Sequence, residues 1–359
     1  MSTVFVINPG STSTKLALFR EREELFEEEL QHSKEELAAC GSVSGQAPLR
    51  MLAIEKVLAD HGVDGSDVDA VAGRGGLLAP LEGGVYEVCD NMLDDLAASK
   101  YGSHPCNLGA GLARDLAQKW GVPAYIVDPV VTDEMDARAR VTGMPGLERR
   151  SVFHALNQRG AARRAMRLAG RVYEDCCLVV AHMGGGMSVG AHRRGRVVDV
   201  TNGLDGEGPF TPERTGTLPV LPMLERMHNG QSFESLRLTV LREGGLWAHL
   251  GTNDMREVER RMNEGDEHCI AIFKAMAYSI AKHVGAMVPS ALDGVQDRLD
   301  AIVLTGGMAR STALVQELTR MLSCLAPVKV VPGSVEMAAL AFGVCMALAG
   351  SEPVRTYAG

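Results

Sequence analysis

The sequence predicts an α/β protein made of two duplicated domains, and two stretches carry that prediction. The first is VFVINPGSTSTKLALF, Val4 to Phe19. Val4, Phe5, Val6 and Ile7 are β-branched or aromatic, and Leu16 to Phe19 restore the apolar run after a turn of Asn8, Gly10 and four hydroxyl residues, Ser11 to Thr14. That composition is a hairpin, and a third strand continues it through Leu25, Phe26 and Leu30. The second stretch is CCLVVAHMGGGMSVGAHRRGRVVDVTNG, Cys176 to Gly203. It repeats the plan: strand Leu178 to Ala181, glycine turn Gly184 to Gly186, strand Met187 to Ala191, an Arg-Arg-Gly turn, and strand Arg196 to Thr201. Two three-stranded units about one domain length apart imply a duplicated fold.

Both turns have the chemistry of an anion cradle. In the first, the hydroxyls of Ser11 and Ser13, the backbone at Gly10 and the Lys15 ammonium suit phosphate oxygens. In the second, His182 at a strand end and Gly184, Gly185 and Gly186 offer backbone amides. The Walker spacing is absent, so neither is a P-loop. One phosphate turn per domain suggests a nucleotide clamped in a cleft between the two domains.

The remaining elements alternate, which favours a layered α/β architecture. Pro48 starts a helix with Leu49, Leu52, Val57 and Leu58 on one side, and strand Val68 to Ala72 follows. A helix near Asn107 to Trp120 leads to strand Ala124 to Val127. A helix from Ser151 to Leu168, capped by its serine, opens the second set. Beyond the central hairpin the chain is largely helical, with an amphipathic segment from Asp266 to Val288. Strand Ala301 to Thr305 runs into Gly306-Gly307 and a helix from Ser311 to Leu322. Strand Val328 to Val331 then passes through Pro332-Gly333 into a last helix, Met337 to Ala349. The domain boundaries expected are 1–135 with 337–359, and 136–336.

Bulk properties exclude several classes. A chain of 359 residues, 46% hydrophobic and 23% charged, can build two cores. A net charge of −9 with no basic run longer than two arginines argues against a nucleic-acid surface. The eight cysteines lack zinc-ligand spacing, so reduced thiols in a cytoplasmic protein are expected. The chain opens on a core strand with no leader pattern, and its most apolar helix is too short to span a bilayer. The Glu27 to Glu29 run reads as a solvated strand edge, and His61, His192, His228, His249, His268 and His283 as surface or core histidines.

Polar residues at strand ends stand out against this background. Arg74, Asp128 and His182 each follow a buried strand, where ligands collect in open α/β sheets. The motifs INPGSTSTK, GRGGLLAPLEGG, FHALNQ, AHMGGGMSVGAH, GPFTPERTG, LGTNDMREVE and LTGGMARS together resemble the butyrate kinase branch of the acetate kinase family, in the superfamily of acetate and sugar kinases, heat-shock chaperones and actin. The match runs nearly end to end.

The resemblance implies two actin-like ATPase domains, each a mixed five-stranded sheet with flanking helices, and ATP/ADP with Mg²⁺ as cofactors. It implies that Asn8 and Glu336 help hold magnesium and that Lys15 contacts phosphates. Arg74 would grip the substrate carboxylate, with Asp128 the aspartate usually named catalytic. His154 and Arg214 would stabilise the transferring phosphoryl group. His182 to Gly186, Asp254 to Arg256 and Gly306, Gly307 and Arg310 match the ATP-binding stretches. One departure is Gly185, where acetate kinases carry an asparagine. The implied partner is a small carboxylic acid, with no nucleic acid or membrane, and a homo-oligomer, dimer or higher, is expected.

The chemistry agrees with those residue types. Phosphoryl transfer needs positioning and charge neutralisation. A carboxylate with a reference pKa near about 4 is already ionised, so Asp128 reads as orienting Arg74 or a magnesium-bound water rather than as a base. Substrate size turns on Gly76, two residues beyond Arg74, where acetate kinases carry a bulky aliphatic residue. The missing side chain is expected to open room for roughly two or three methylenes, with His104, Phe153 and Pro212 as further walls. Butyrate is the substrate expected, with isobutyrate, acetate or propionate as alternatives. From other classes, an actin-like or chaperone-like ATPase would share the hairpins but not Arg74, His154 and Arg214. A sugar-kinase-like repressor would need a helix-turn-helix that the start of the chain does not provide.

Overall fold

The computed structural model describes all 359 residues. They divide into two compact units, Met1–Asp133 with Val335–Gly359, and Glu134–Ser334. The first holds β1 (Thr3–Pro9), β2 (Ser13–Arg20), β3 (Glu23–Gln31), β4 (Ala70–Gly73), β5 (Val85–Glu87) and β6 (Ala124–Val127). The second holds β7 (Cys177–Met183), β8 (Met187–Arg193), β9 (Arg196–Val200), β10 (Ala301–Gly306) and β11 (Val328–Pro332). The chain then returns to the first unit and adds β12 (Val354–Arg355).

The duplication is visible in strand order and sense. The second sheet runs β11-β10-β7-β8-β9, and the first contains β6-β4-β1-β2-β3 in the corresponding places. In both, the first strand pairs antiparallel with the second and parallel with the fourth. The first sheet has seven strands rather than the five expected, because β5 and β12 extend it beyond β6. These are three and two residues long, too short to leave a periodic pattern in the sequence. The glutamates of β3 lie on the sheet edge and are mostly exposed, as the sequence suggests.

One inner strand of each sheet, β1 in the first and β10 in the second, is buried along its length. All seven residues of β1 are buried, as expected of a strand covered on both faces. Helices Leu108–Trp120 and Glu336–Leu348 both contact β1 and β4. In the second unit, helix Glu267–Ala291, capped by Asp266 onto the Cys269 amide, lies against β7, β8 and β9. Helix Ala155–Leu168 lies against β7, β10 and β11. It begins four residues later than the serine-capped start expected at Ser151. His154 occupies the cap position without a side-chain cap bond, and its amide donates to the Ser188 hydroxyl at 3.4 Å. All eight cysteines are free, and no helix is long and apolar enough to cross a membrane.

The turn between β1 and β2 is held from behind by a charge. Helix Ala47–Asp60 buries Arg50, Ile54, Val57 and Leu58, whereas Leu52, expected on that face, is 67% exposed. Arg50 is completely buried. Its Nη1 donates to the Ser13 carbonyl at 2.9 Å and to the Thr14 hydroxyl at 2.8 Å, and its Nη2 to the Gly10 carbonyl and to Gln46 Oε1, both at 2.9 Å. The Thr12 carbonyl accepts from the His32 amide at 2.8 Å. Carbonyls of the turn are thus taken up on this side, while Ser11 and Thr12 are exposed.

Because those carbonyls lose their donors when the guanidinium is removed, Arg50→Met should destabilise the protein by about 3 kcal/mol or more. Leu52→Ala on the exposed face should stay within about 0.5 kcal/mol. Denaturant titration of both variants beside the parent checks the contrast, and an equal small loss would show that Arg50 does not hold the turn.

Candidate active site

In the first unit the polar groups gather where β1 and β4 end. The register pairs Ile7 with Gly73, so Asn8 and Arg74 are the next residues on adjacent parallel strands. Gly73 and Gly109 make this possible. A Cβ on Gly73 would lie 2.2 Å from the Gly109 carbonyl oxygen, and one on Gly109 would lie 2.3 Å from that of Arg74. The helix Leu108–Trp120 therefore approaches β4 at backbone distance and fixes the Arg74 main chain.

Arg74 Nη1 meets Glu336 Oε2 at 2.7 Å and Asn8 Oδ1 at 3.2 Å. Asn8 Nδ2 donates to the same Glu336 oxygen at 3.2 Å. Glu336 opens the helix Glu336–Leu348, where a carboxylate complements the helix dipole. The Asn8 amide oxygen and Glu336 carboxylate are hard donors suited to Mg²⁺. No group of three or more His, Cys, Asp or Glu could hold a metal, so an ion here would take its other oxygens from a bound phosphate and water.

The remaining sequence-derived residues of this unit fall into place unequally. Lys15 faces Asn8 across the β1–β2 pair and lies 3.4 Å from Glu29. A hydrogen bond from the Ser13 side chain, above all, holds the Glu29 carboxyl below its usual range. Ser13 and Lys15 are therefore engaged with β3 as well as bordering the turn. Asp128 is buried beyond the end of β6 with φ of 40°, and its Oδ1 accepts from the Gly84 amide at 2.8 Å. His104 caps a short helical turn through Nδ1, which accepts from the Cys106 amide at 3.2 Å. Loss of solvent, and after it the Arg74 charge, lowers its pKa.

Gly76 corrects the size argument. A Cβ there would meet Asn107 Cα at 2.6 Å and Asn107 Oδ1 and Leu96 Cδ2 at 2.7 Å. The place of the missing side chain is filled by neighbouring atoms and does not open acyl space. Leu96 and Asn107 also line a largely apolar cavity of about 260 Å³, with Leu93, Leu108 and Leu112.

In the second unit two histidines stack. His182, near the end of β7, and His154 lie with ring centroids 3.8 Å apart and planes 9° from parallel. His154 Nδ1 is 2.9 Å from the Ser188 hydroxyl, and His182 Nδ1 is 2.8 Å from Asn157 Nδ2. Arg214 is partly buried, donates to the Gly203 carbonyl, and has no carboxylate within ion-pair distance; its Nε has no partner. Burial lowers its pKa, with Glu213 opposing. Gly186 admits it, since a Cβ there would lie 2.9 Å from Arg214 Nη1.

Gly185 is exposed, with its carbonyl accepting from the Thr211 hydroxyl at 2.8 Å, and Gly184 lies beside His182. Asp254 caps the helix Met255–Asn263 and pairs with the exposed Arg256 at 2.7 Å. Gly306, at φ of 90°, runs so close to β7 that a Cβ would lie 2.3 Å from the Met183 carbonyl oxygen; Gly307 is open and Arg310 exposed. Phe153 belongs to a small core cluster with Met135, Ala155, Val197 and Val200, and Pro212 is buried.

Sequence reasoning missed Arg50, Gly109, Asn157, Gln158 and Ser188. Asn157 and Gln158 had a legible signal. They lie three and four residues beyond His154, on the helix face that packs against the sheet, where a polar side chain needs a partner.

Residues 145–329 match the model of the Acetokinase family. The chain is 52% identical to a protein of Oleidesulfovibrio alaskensis named "Probable butyrate kinase", with 100% of this chain and 99% of the relative covered. It is 48% identical to a protein of the same name from Maridesulfovibrio salexigens, with 99% of each covered. The crystal structure of Porphyromonas gingivalis acetate kinase superposes with a TM-score of 0.76 at 20% identity, over 97% of this chain and 100% of that one. That of Entamoeba histolytica acetate kinase gives 0.73 at 14% identity, over 96% and 99%. The fold is the duplicated actin-like ATPase fold of the acetate kinases. With a family model matched over more than half its length and relatives alike from end to end, the chain belongs to the acetokinase family.

Proposed function

We propose that this chain moves the γ-phosphate of ATP reversibly to the carboxylate of butyrate, giving butanoyl phosphate and ADP. The observation that carries the reading is Arg214, a partly buried cation with no carboxylate partner and an unbonded Nε. A charge kept in that state suits an anion that arrives from outside, such as a phosphoryl group. The names of relatives 44–52% identical supply the acid.

The roles follow from charge. The carboxylate nucleophile is ionised at neutral pH and needs no base. Arg74 binds it, exchanging part of its contact with Glu336 for the substrate. His154, His182 and Arg214 hold the equatorial oxygens of the transferring group, where charge spreads in the transition state. The turn at Ser11, Ser13 and Lys15, and the stretches at Gly184 to Gly186, Asp254 to Arg256 and Gly306 to Arg310, hold the nucleotide. Asn8 and Glu336 would hold Mg²⁺, which when bound neutralises phosphate charge. Asp128, committed to the Gly84 amide, orients the backbone beyond β6 rather than moving a proton.

An assay that traps acyl phosphate, run with ATP and acetate, propionate, butyrate, isobutyrate or valerate, tests the assignment. Butyrate should give the highest kcat/KM, and no acyl phosphate from any acid would overturn it. Arg214→Ala should lower kcat by about a hundredfold or more with a smaller change in the KM for ATP. Arg74→Ala should chiefly raise the KM for the acid. If both variants change only the affinity for ATP, the roles are wrongly assigned.

Because atoms of Asn107 and Leu96 occupy the side-chain position at Gly76, Gly76→Val should lower kcat/KM for acetate and butyrate by a similar factor. It should also lower the melting temperature, since overpacking costs about 1 to 3 kcal/mol. Selective loss of butyrate with stability intact would restore the view that Gly76 sets chain length.

A further inference from the structure

We propose that Gln158, Ser188 and His192 are positioning residues that hold His154 as the neutral imidazole with its proton on Nε2. A backbone carbonyl oxygen can only accept. Gln158 reaches the Ser188 carbonyl oxygen at 3.0 Å, and only the amide nitrogen can donate there, so this nitrogen is Nε2. Its second hydrogen goes to the Ser188 hydroxyl at 2.8 Å. Gln158 Oε1 must then face His192 Nε2, at 3.0 Å, and accept from it. His192 therefore carries its proton on Nε2, and its Nδ1 accepts from the Tyr173 hydroxyl at 2.8 Å. The ring is fully buried, and burial pushes its pKa down to about 3, which agrees with a neutral imidazole.

The direction of donation then reaches the active site. Ser188 Oγ accepts from Gln158 and, at 3.4 Å, from the His154 amide. Its own hydrogen is left to donate to His154 Nδ1 at 2.9 Å. A protonated His154 would present a third donor to Ser188 and leave the hydroxyl hydrogen without an acceptor. Every member between the carbonyl and His154 is buried, Ser188, Gln158 and His192 at 0% exposure, so water does not compensate a reversed bond. Gly190 keeps the space, since a Cβ there would lie 2.4 Å from Gln158 Oε1.

His182 is fixed in the same sense by a second, separate set of bonds. Thr305 Oγ1 donates to the Gly333 carbonyl at 3.4 Å and so accepts from Asn157 Nδ2 at 3.2 Å. The same amide nitrogen donates to His182 Nδ1. Two stacked neutral imidazoles result, each with Nδ1 satisfied and the proton on Nε2. Together they supply hydrogen-bond donors to a phosphoryl oxygen without the repulsion of two stacked cations. The tautomer assignment stands on hydrogen bonding alone; its catalytic consequence rests on the kinase reading above.

The test is the imidazole nitrogen-15 spectrum of the full chain labelled at histidine, near neutral pH, with His154 assigned by the resonance lost in His154→Gln. The parent should show His154 as neutral Nε2–H. Gln158→Glu replaces the donor facing Ser188 by an acceptor, so the hydroxyl should turn to Glu and His154 should become Nδ1–H or doubly protonated. Ser188→Ala, a milder change, should abolish the preference for Nε2–H. In both variants kcat should fall about tenfold or more, with the KM for ATP within about twofold. A parent His154 that is cationic or Nδ1–H would overturn the proposal. So would an unchanged Nε2–H signal in either folded variant. If the parent forms no acyl phosphate yet shows the expected tautomer, the kinase reading fails and the positioning inference stands.

Discussion

Both polar clusters depend on one constraint: the inner strands β1 and β10 are buried along their length, so polar chemistry gathers where the strands of each sheet end. β1 has no exposed residue, and β10 is buried throughout. Parallel pairing then sets these ends side by side. Ile7 is level with Gly73, which makes Asn8 and Arg74 neighbours. Thr305 is level with His182, which lets one asparagine, Asn157, bond both. The duplication therefore produces two clusters of different chemistry from one backbone plan, the first built on an arginine and a carboxylate, the second on imidazoles and an arginine. The helix Glu336–Leu348, packed against β1 and β4, then brings Glu336 to Arg74 although they lie hundreds of positions apart in the chain.

The buried and half-buried cations divide by whether they meet a carboxylate. Arg159 and Glu134 are both buried and pair at 3.2 Å, and Glu134 also accepts from the Val197 amide. Such a pair is balanced in charge and structural. Arg50 is compensated only by neutral acceptors, three of them on the β1–β2 turn. Its charge is thus stored behind the turn instead of being cancelled, and lowers the pKa of buried His32, after burial itself, so that this ring too favours the neutral form. Positive potential left beside a turn of exposed Ser11 and Thr12 is compatible with binding an anion.

Much of the fold was legible because strands and glycine turns repeat in the same order. The strand cores at Val4 to Ile7, Leu178 to Ala181 and Ala301 to Thr305 all lie within observed strands. The failures share a cause: each is a place where tertiary contacts override a local rule. Ser151 has the chemistry of a helix cap, yet the helix waits until Ala155 because the His154 amide and ring are held by Ser188. Leu52 fits an apolar stripe, yet the buried face runs through Arg50, Ile54 and Val57, an arginine being taken inside by carbonyls that only folding assembles. At the site, residue types were readable from the motifs, but contacts were not. Gly76 was visible as a missing side chain, whereas the atoms of Asn107 and Leu96 that fill its place come from segments folded against it.

Arg74 of the first unit and Arg214 of the second differ in what they have already bound, and that difference bears on the order of events in the proposed reaction. Arg74 begins with a carboxylate, Glu336, at 2.7 Å. A substrate carboxylate gains only the difference between its own contact and the one it displaces, unless Glu336 is itself drawn to a cation. A metal held by Asn8 and Glu336 would draw negative charge off Arg74, so metal-nucleotide binding would favour acid binding by exchange of partners within one cluster. Arg214 has no such partner to lose. In the proposed reaction the cost of desolvating Arg214 has already been met on folding, so it would be the stronger electrostatic contributor as charge moves to the transferring group.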